Sequence, residues 1–262
     1  MLSPAFRQLV LKHVVRPVYG AGGRRHCRAC GRAVLGFLPY AGGSRNVPEF
    51  IRRLDLVGSN VDQFACALCG ATDRERHLLM YFDALRLWDG LDGAAVLHIA
   101  PERKLAERLA ALPLGEYVPG DLSPRPPARH RIDVTRIDWP DAHFDLVICN
   151  HVLEHVPDYR RAIAELYRVT RPGGTAILQA PYSRRLAENF EDSGIDDDRG
   201  REFFYGQSDH VRVFSETGYL RALEEGGFRL GIARHADLFG PGTAERQGVN
   251  ALEDLIRVTR PA

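Results

Sequence analysis

None of the apolar runs in this 262-residue sequence approaches the roughly 20 residues that a bilayer span needs. A membrane-spanning helix is therefore not expected. The N-terminal stretch MLSPAFRQLVLKHVVRPVYG is basic and apolar, but charges interrupt it and no small-residue cleavage site follows. A basic amphipathic helix over residues 1–25 is the expectation, with the cytoplasm as the default compartment. Internal repeats and low-complexity tracts are both lacking. Overall charge is also scarce, at a net +1, yet it is unevenly spread: residues 1–60 hold ten Lys/Arg against Glu49 and Asp55, an excess of eight. Such a block can meet phosphates or an anionic surface, and it serves equally well as a solvated face. The last shortage is local. In VLHIAPERKLAERL (residues 96–109) an apolar run turns into an amphipathic helix, where a nucleotide-binding α/β domain would carry glycines. The turn holds His98, Ala100 and Pro101 instead.

Composition is otherwise that of a soluble globular chain, 45% hydrophobic and 26% charged. The length suits one domain of about 150–200 residues with a smaller companion. Four of the five cysteines form two knuckles, Cys27-x-x-Cys30 and Cys66-x-x-Cys69, with 35 residues between them and a glycine after each. Paired CxxC turns let four thiolates converge on one tetrahedral Zn²⁺, which is expected to be structural because no coordination position stays open. Disulfides are the competing reading, disfavoured in a reducing compartment. Cys149 lies far off in an apolar strand and is expected to be a small buried hydrophobe.

The module of residues 26–72 should contain a hairpin and a short helix, and a linking helix is expected over 73–90. From 91 to 262 strand and helix signals alternate. AAVLHIA, EYVPGDL, RHRIDV, FDLVICN and TAILQAP are strands, PERKLAERLAAL and DYRRAIAELYRVT are helices, and the turn RPGG introduces the fifth strand. GFRLGIARH and NALEDLIRVTR read as two final strands. This order predicts an α/β fold, a Rossmann-like parallel sheet with helices on both faces, plus a small N-terminal zinc-ribbon-like module. Residues 181–214 form a long connection rich in acid (Glu188, Glu191, Asp192, Asp196, Asp197, Asp198, Glu202) that suits a cationic group, a metal or a solvated lid.

The stretch DWPDAHFDLVICNHVLEHVPDYRRAIAELYRVTRPGGTAILQAPY resembles the class I S-adenosylmethionine-dependent methyltransferases, and the resemblance covers about residues 90–260. CALC, LHIAPE and GQSDHVR further resemble a bacterial subgroup with CxLC, LHxAPE and GQxDHxR motifs. The resemblance implies S-adenosylmethionine as cofactor and assigns roles position by position. Asp121, ending the second strand, would accept hydrogen bonds from both ribose hydroxyls. Asp133 would face the adenine amino group, with Val134 adding a backbone contact. Asn150 and His151 would face the methyl group. In the first loop Ala100 would admit the cofactor closely, His98 or Glu102 would meet its methionyl amine or carboxylate, and the helix N-terminus behind them would favour the carboxylate. Glu154 and His155 are expected to cap and orient the next helix.

Methyl transfer needs a nucleophile held in line and, for some acceptors, a base. His210 in GQSDHVRVF is the first candidate, with Asp209 orienting it and Arg212 holding an anionic part of the substrate; His151 is the second. Tyr182 is expected to wall the substrate pocket. A small or carrier-linked metabolite is the favoured substrate. Zinc modules also occur in RNA methyltransferases, so RNA is the alternative, and a cofactor-binding scaffold without activity is the third reading. Deoxysugar methyltransferases with zinc modules favour the metabolite.

Overall fold

The computed structural model describes residues 9–262. Seven strands form the central sheet: β1 (Ala95–Ile99), β2 (Glu116–Asp121), β3 (His130–Arg131), β4 (Phe144–Asn150), β5 (Thr170–Gln179), β6 (Arg229–Ala233) and β7 (Leu255–Thr259). Their spatial order is β6-β7-β5-β4-β1-β2-β3. β1, β2, β3, β4 and β5 pair in parallel, and β7 runs antiparallel to both β5 and β6. This is a mostly parallel, Rossmann-like sheet, as the alternating pattern predicts. Two details differ from the sequence expectation. RHRIDV pairs only over His130–Arg131, because Asp133 bonds back to Thr135 and turns the chain out of the sheet. RPGG is not a turn before β5 but lies within it, at a register shift between Thr170 and Thr175.

β4 is buried on both faces, as a central parallel strand must be, and Cys149 is wholly buried in it. The helix after it, Tyr159–Val169, turns Ala162, Ile163, Leu166 and Val169 to one core layer. Its first turn is capped by the Asp158 side chain, which accepts from Arg161 N at 2.9 Å. Glu154 and His155 therefore do not cap it; they stand in a separate 3₁₀ turn, Leu153–His155.

The N-terminal part is not set apart from the sheet domain. Of the helix expected over residues 1–25, residues 1–8 lie outside the described chain and helical turns span Leu11–Val15 and Arg16–Gly20. The short helix between the knuckles is α1 (Glu49–Leu54). Leu56–Val57, from the same segment, pairs with Tyr182–Ser183, so one strand of the 26–72 module is completed by the chain beyond β5. The linking helix α2 spans Asp73–Ala84 and is shorter than the 73–90 expected. Thr72 and Glu75 form a reciprocal capping box at its start.

Arg76 of α2 is 0% exposed. Its guanidinium donates to five backbone carbonyls: Gln63 (2.6 Å), Phe64 (3.1 Å) and Ala71 (2.8 Å) of the knuckle region, and Gln247 (2.7 Å) and Gly248 (2.7 Å) near β7. Five N–H groups meet five acceptors, which satisfies the side chain completely. It also lies 3.8 Å from the Phe37 ring centroid. Arg76→Met leaves five buried carbonyls without their donor and should destabilise the chain by about 3–5 kcal/mol. Urea denaturation reads this, and Arg76→Lys should recover little, because three ammonium donors cannot span the same fan of acceptors.

Candidate active site

The carboxyl ends of β1, β2 and β4 form one edge of the sheet, and the turns that leave β1 and β4 share an uncommon backbone. Ala100 has φ 48° and His151 has φ 52°, both left-handed, although neither is glycine. Each conformation costs about 1–2 kcal/mol and persists because the backbone is tied. Ala100 N donates to Gly120 O at 2.8 Å, and His151 N donates to Gln179 O at 2.7 Å. Ala100 thus adopts the turn conformation that a glycine would ordinarily supply, with one methyl group as its whole side chain.

Behind that turn a polar network fixes the first loop. His98 is 0% exposed. Its Nδ1 meets the Tyr117 hydroxyl at 3.0 Å and its Nε2 meets Glu102 Oε2 at 2.6 Å. The other Glu102 oxygen accepts from Asn150 Nδ2 at 3.1 Å. Both ring nitrogens of His98 are engaged, so the expected contact from His98 to a ligand is corrected: it orients Glu102 instead. Burial raises the Glu102 carboxyl, but the His98 hydrogen bond and charge, aided by Asn150, outweigh burial and hold it ionised below the ordinary carboxylate range. The helix after Glu102, α3 (Arg103–Leu109), does not present a free N-terminus either. Lys104 N already donates to Glu75 Oε1 of α2 at 2.7 Å, so one of the first-turn N–H groups expected to favour an anion is taken.

A crevice of about 270 Å³, counting its open mouth, lies between α2 and these strand ends, lined by Arg74, His77, Glu102, Asn150, His151 and Glu253 among others. Arg74 has no hydrogen-bond or ion-pair partner among the described residues. One wall is a chain of buried titratable groups. His235 Nδ1 lies 2.8 Å from His77 Nε2, and His77 Nδ1 lies 3.3 Å from Glu253 Oε2. Glu253 Oε1 lies 3.6 Å from His151 Nε2, and His151 Nδ1 lies 3.6 Å from Glu154 Oε1. Burial and Arg74 pull the His151 imidazolium down, and the two carboxylates outweigh them, so it titrates above the ordinary histidine range. Burial, with His77 beside it, pushes His235 down to about 4.

Asp121 ends β2, and its Oδ1 accepts from Ser123 N at 2.8 Å, which shapes the loop. Leu122 beside it is 59% exposed, an apolar platform next to a carboxylate that the sequence reading missed. Asp133 Oδ1 accepts from both Thr135 N (2.8 Å) and Thr135 Oγ1 (2.7 Å), and Val134 is buried in the core. Tyr182 lines a second, larger groove of about 1140 Å³, counting its open mouth, with Arg184, Glu216, Arg234, Leu252 and Asp254.

Three expectations around His210 need correction. His210 is buried and lines neither of these two cavities. Its Nδ1 bonds to Tyr205 O at 3.1 Å, while Asp209 faces His155. Arg212 holds no open anion site: it donates to the carbonyls of Leu153, Val156 and Pro157 and pairs with Glu191 at 2.8 Å. The acidic connection is ordered rather than a free lid. Its helix Asp198–Tyr205 packs with Phe190 against Ile51 and Phe50 of α1. Arg74, His77 and Glu253 escaped the sequence reading because nothing local distinguishes them from ordinary helix and loop residues.

The tetracysteine site forms just ahead of α2, whose Arg76 donates to Ala71 O beside the second knuckle. One Sγ from each of Cys27, Cys30, Cys66 and Cys69 lies within 4.8 Å of every other. Gly31 and Gly70 take the left-handed conformation (φ 68° and 74°) and donate to Cys27 O and Cys66 O, both at 2.8 Å. The two knuckles are thus alike in shape.

Comparison with known proteins adds the following. Residues 104–178 match the family described as a methyltransferase domain. The chain is 25% identical over 120 residues to demethylmenaquinone methyltransferase of Geobacillus kaustophilus, covering 37% of this chain and 50% of that protein. It is 33% identical over 88 residues to malonyl-acyl-carrier-protein O-methyltransferase of Serratia marcescens, covering 33% of this chain and 34% of that one. The chain therefore spans half or less of the length of these curated relatives. Among solved structures, an S-adenosylmethionine-dependent methyltransferase from Mesorhizobium loti aligns with a TM-score of 0.49 at 16% identity, over 69% of this chain and 98% of that one.

One carboxyl above the crevice gives a pH test. Asp73, at the first turn of α2, is buried; its Oδ2 accepts from Asn60 N at 2.5 Å and its Oδ1 has no partner. Burial, then the Glu253 charge, pushes it up to about 7 from the ordinary 3.8. The folded chain keeps a proton there that the unfolded chain releases, so this group's contribution to stability is present below pH 3.8 and is lost as pH rises through about 7. Asp73→Asn should remove that loss, on the order of 4 kcal/mol. The expected result is a variant more stable than wild type at pH 8 and similar to it at pH 4, read by urea denaturation at both pH values.

Proposed function

We propose that the chain is an S-adenosylmethionine-dependent methyltransferase acting on a small or carrier-linked metabolite, with a structural zinc ion on its four paired cysteines. One observation carries the cofactor reading: Glu102 and Arg74, unpaired among the described residues, line the same crevice with opposite charges. A methionyl end is a zwitterion, and it finds there a carboxylate for its ammonium and a guanidinium for its carboxylate. Asp121 would hold the ribose hydroxyls through the oxygen not used by Ser123, Leu122 would meet the adenine face, and Asp133 and Val134 would border its edge. Asn150 anchors Glu102 on one side and accepts Gln179 N at 3.3 Å on the other, so both strand ends bordering the crevice are fixed.

When bound, the cofactor supplies a methyl group already activated on a sulfonium. What remains for this chain is to align the acceptor and take its proton. His151 is the residue proposed for that proton, because Glu154 and Glu253 flank its two ring nitrogens and stabilise the cation that results. His210 lies beside Glu154 and lines neither cavity, so it is not the residue proposed for the proton. The groove beside Tyr182, with Arg184 and Arg234 on it, suits a small anionic acceptor. The curated relatives named for demethylmenaquinone and malonyl-acyl-carrier protein support the metabolite reading over the RNA and scaffold readings.

The cysteines fit zinc. Four thiolates at about 2.3 Å from one ion stand about 3.8 Å apart, and Cys27 Sγ and Cys69 Sγ are 3.7 Å apart. A tetrathiolate zinc centre is anionic, and Arg76 nearby offsets its charge.

The test of the whole reading is transfer of labelled methyl from the cofactor into a metabolite extract, into carrier-linked acyl groups and into RNA. Label in the first two supports it, and label in RNA alone, or in none, overturns it. Asp121→Ala should weaken cofactor binding by about 1.5–3 kcal/mol; unchanged calorimetric affinity removes Asp121 from the site. Elemental analysis should find zinc in stoichiometric amount, and Cys66→Ser should lose both the metal and the fold of the knuckle region together. A zinc-free, folded wild-type chain would end that assignment.

A further inference from the structure

We infer that Glu154, His155 and His210 form a second metal site, for a divalent first-row transition ion, separate from the four cysteines. One carboxylate oxygen and one nitrogen from each ring lie within 4.8 Å of one another. Glu154 is 1% exposed, and its Oε2 has no hydrogen-bond partner among the described residues. A buried carboxylate oxygen left in that state is costly, and a bound cation removes the cost.

The two histidines are prepared as ligands from behind. His210 Nδ1 faces Tyr205 O at 3.1 Å, and His155 Nδ1 faces Asp209 O at 3.2 Å. A carbonyl only accepts, so each Nδ1 carries the proton and each Nε2 keeps its lone pair. A ring N–H tied to a backbone carbonyl is the usual outer support of a metal-bound imidazole. The rings stand edge to face, with centroids 4.6 Å apart at 83°. His155 Nε2 lies 3.9 Å from Glu154 Oε1, too far for a hydrogen bond. Two ligands at about 2.1 Å from one ion are about 3.4 Å apart or more, so that gap suits a shared cation.

The segments that carry these ligands are pinned to each other. Val211 N donates to Glu154 O at 3.0 Å, and Arg212 gathers the carbonyls of Leu153, Val156 and Pro157. The buried arginine that the sequence offered as a substrate clamp thus holds the 153–157 turn against His210. Two imidazoles and one carboxylate leave open positions and select ions such as Zn²⁺, Co²⁺, Mn²⁺ or Fe²⁺ over Mg²⁺ or Ca²⁺. His155 is partly exposed, which gives the ion a way in.

Cobalt(II) is the probe, because its spectrum separates thiolate from nitrogen and oxygen ligands. The full chain, as purified with its cysteine site loaded, is titrated with CoCl₂. We expect one equivalent to bind with weak visible absorption and no sulfur charge-transfer band, and Zn²⁺ to displace it. His155→Ala, which changes a partly exposed side chain and spares the core, should lose that equivalent while circular dichroism stays that of wild type. Glu154→Gln, which keeps the shape and removes the charge, should lower the affinity at least tenfold. No cobalt binding by folded wild type, thiolate bands alone, or undiminished binding by His155→Ala would each overturn the site.

Discussion

The guanidinium of Arg76 holds the molecule together where its two parts meet. It is a buried cation with no carboxylate bonded to it among the described residues, and its N–H groups are satisfied by five carbonyls from segments about 180 residues apart in sequence. Backbone carbonyls make this favourable only because all five N–H groups are used. Fixing Arg76 fixes α2, and α2 then carries consequences in three directions. Its N-terminal turn sets Arg74 and His77 over the strand ends. Glu75 caps its own helix and also the first turn of α3. Asp83, at the other end of the helix, pairs with Arg28 between the first two cysteines.

The crevice follows from that docking together with the backbone of two turns. Ala100 and His151 both take left-handed conformations at the ends of adjacent strands, and neither would hold it unaided. The network of Tyr117, His98, Glu102 and Asn150 immobilises the first turn from beneath, and the His98 hydrogen bond keeps the half-buried Glu102 carboxylate ionised. Where a left-handed turn would ordinarily carry glycine, this one holds alanine on a rigid foundation. The strain and the buried charge belong together: both need a surround that cannot relax.

Much of the fold was legible locally. β4 announces itself as a continuous apolar run, its following helix as an amphipathic stretch, and the cysteine knuckles as spaced pairs with glycines behind them. The strand ends that carry Asp121 and Asn150 could be placed because a strand's length and its punctuation are properties of neighbouring residues. His98 and Arg212 could not be read in the same way. Each looked like a ligand-binding residue from its neighbours in sequence. Each is in fact spent on groups that only folding brings near: Tyr117 in the case of His98, and the 153–157 carbonyls in the case of Arg212.

The sequence by itself determined the order of elements, the parallel core of the sheet, the pairing of cysteines into knuckles and the Asp121 carboxylate at a strand end, because periodicity, turn chemistry and ligand spacing act over a few residues. Only the tertiary structure decided which polar side chains remain available. It brought Glu253 and His77 to the crevice of His151, left Arg74 without a partner among the described residues, and set His210 against Glu154 rather than in either cavity. Whether a buried charge is satisfied depends on acceptors tens or hundreds of residues distant, and no local pattern encodes where those will stand.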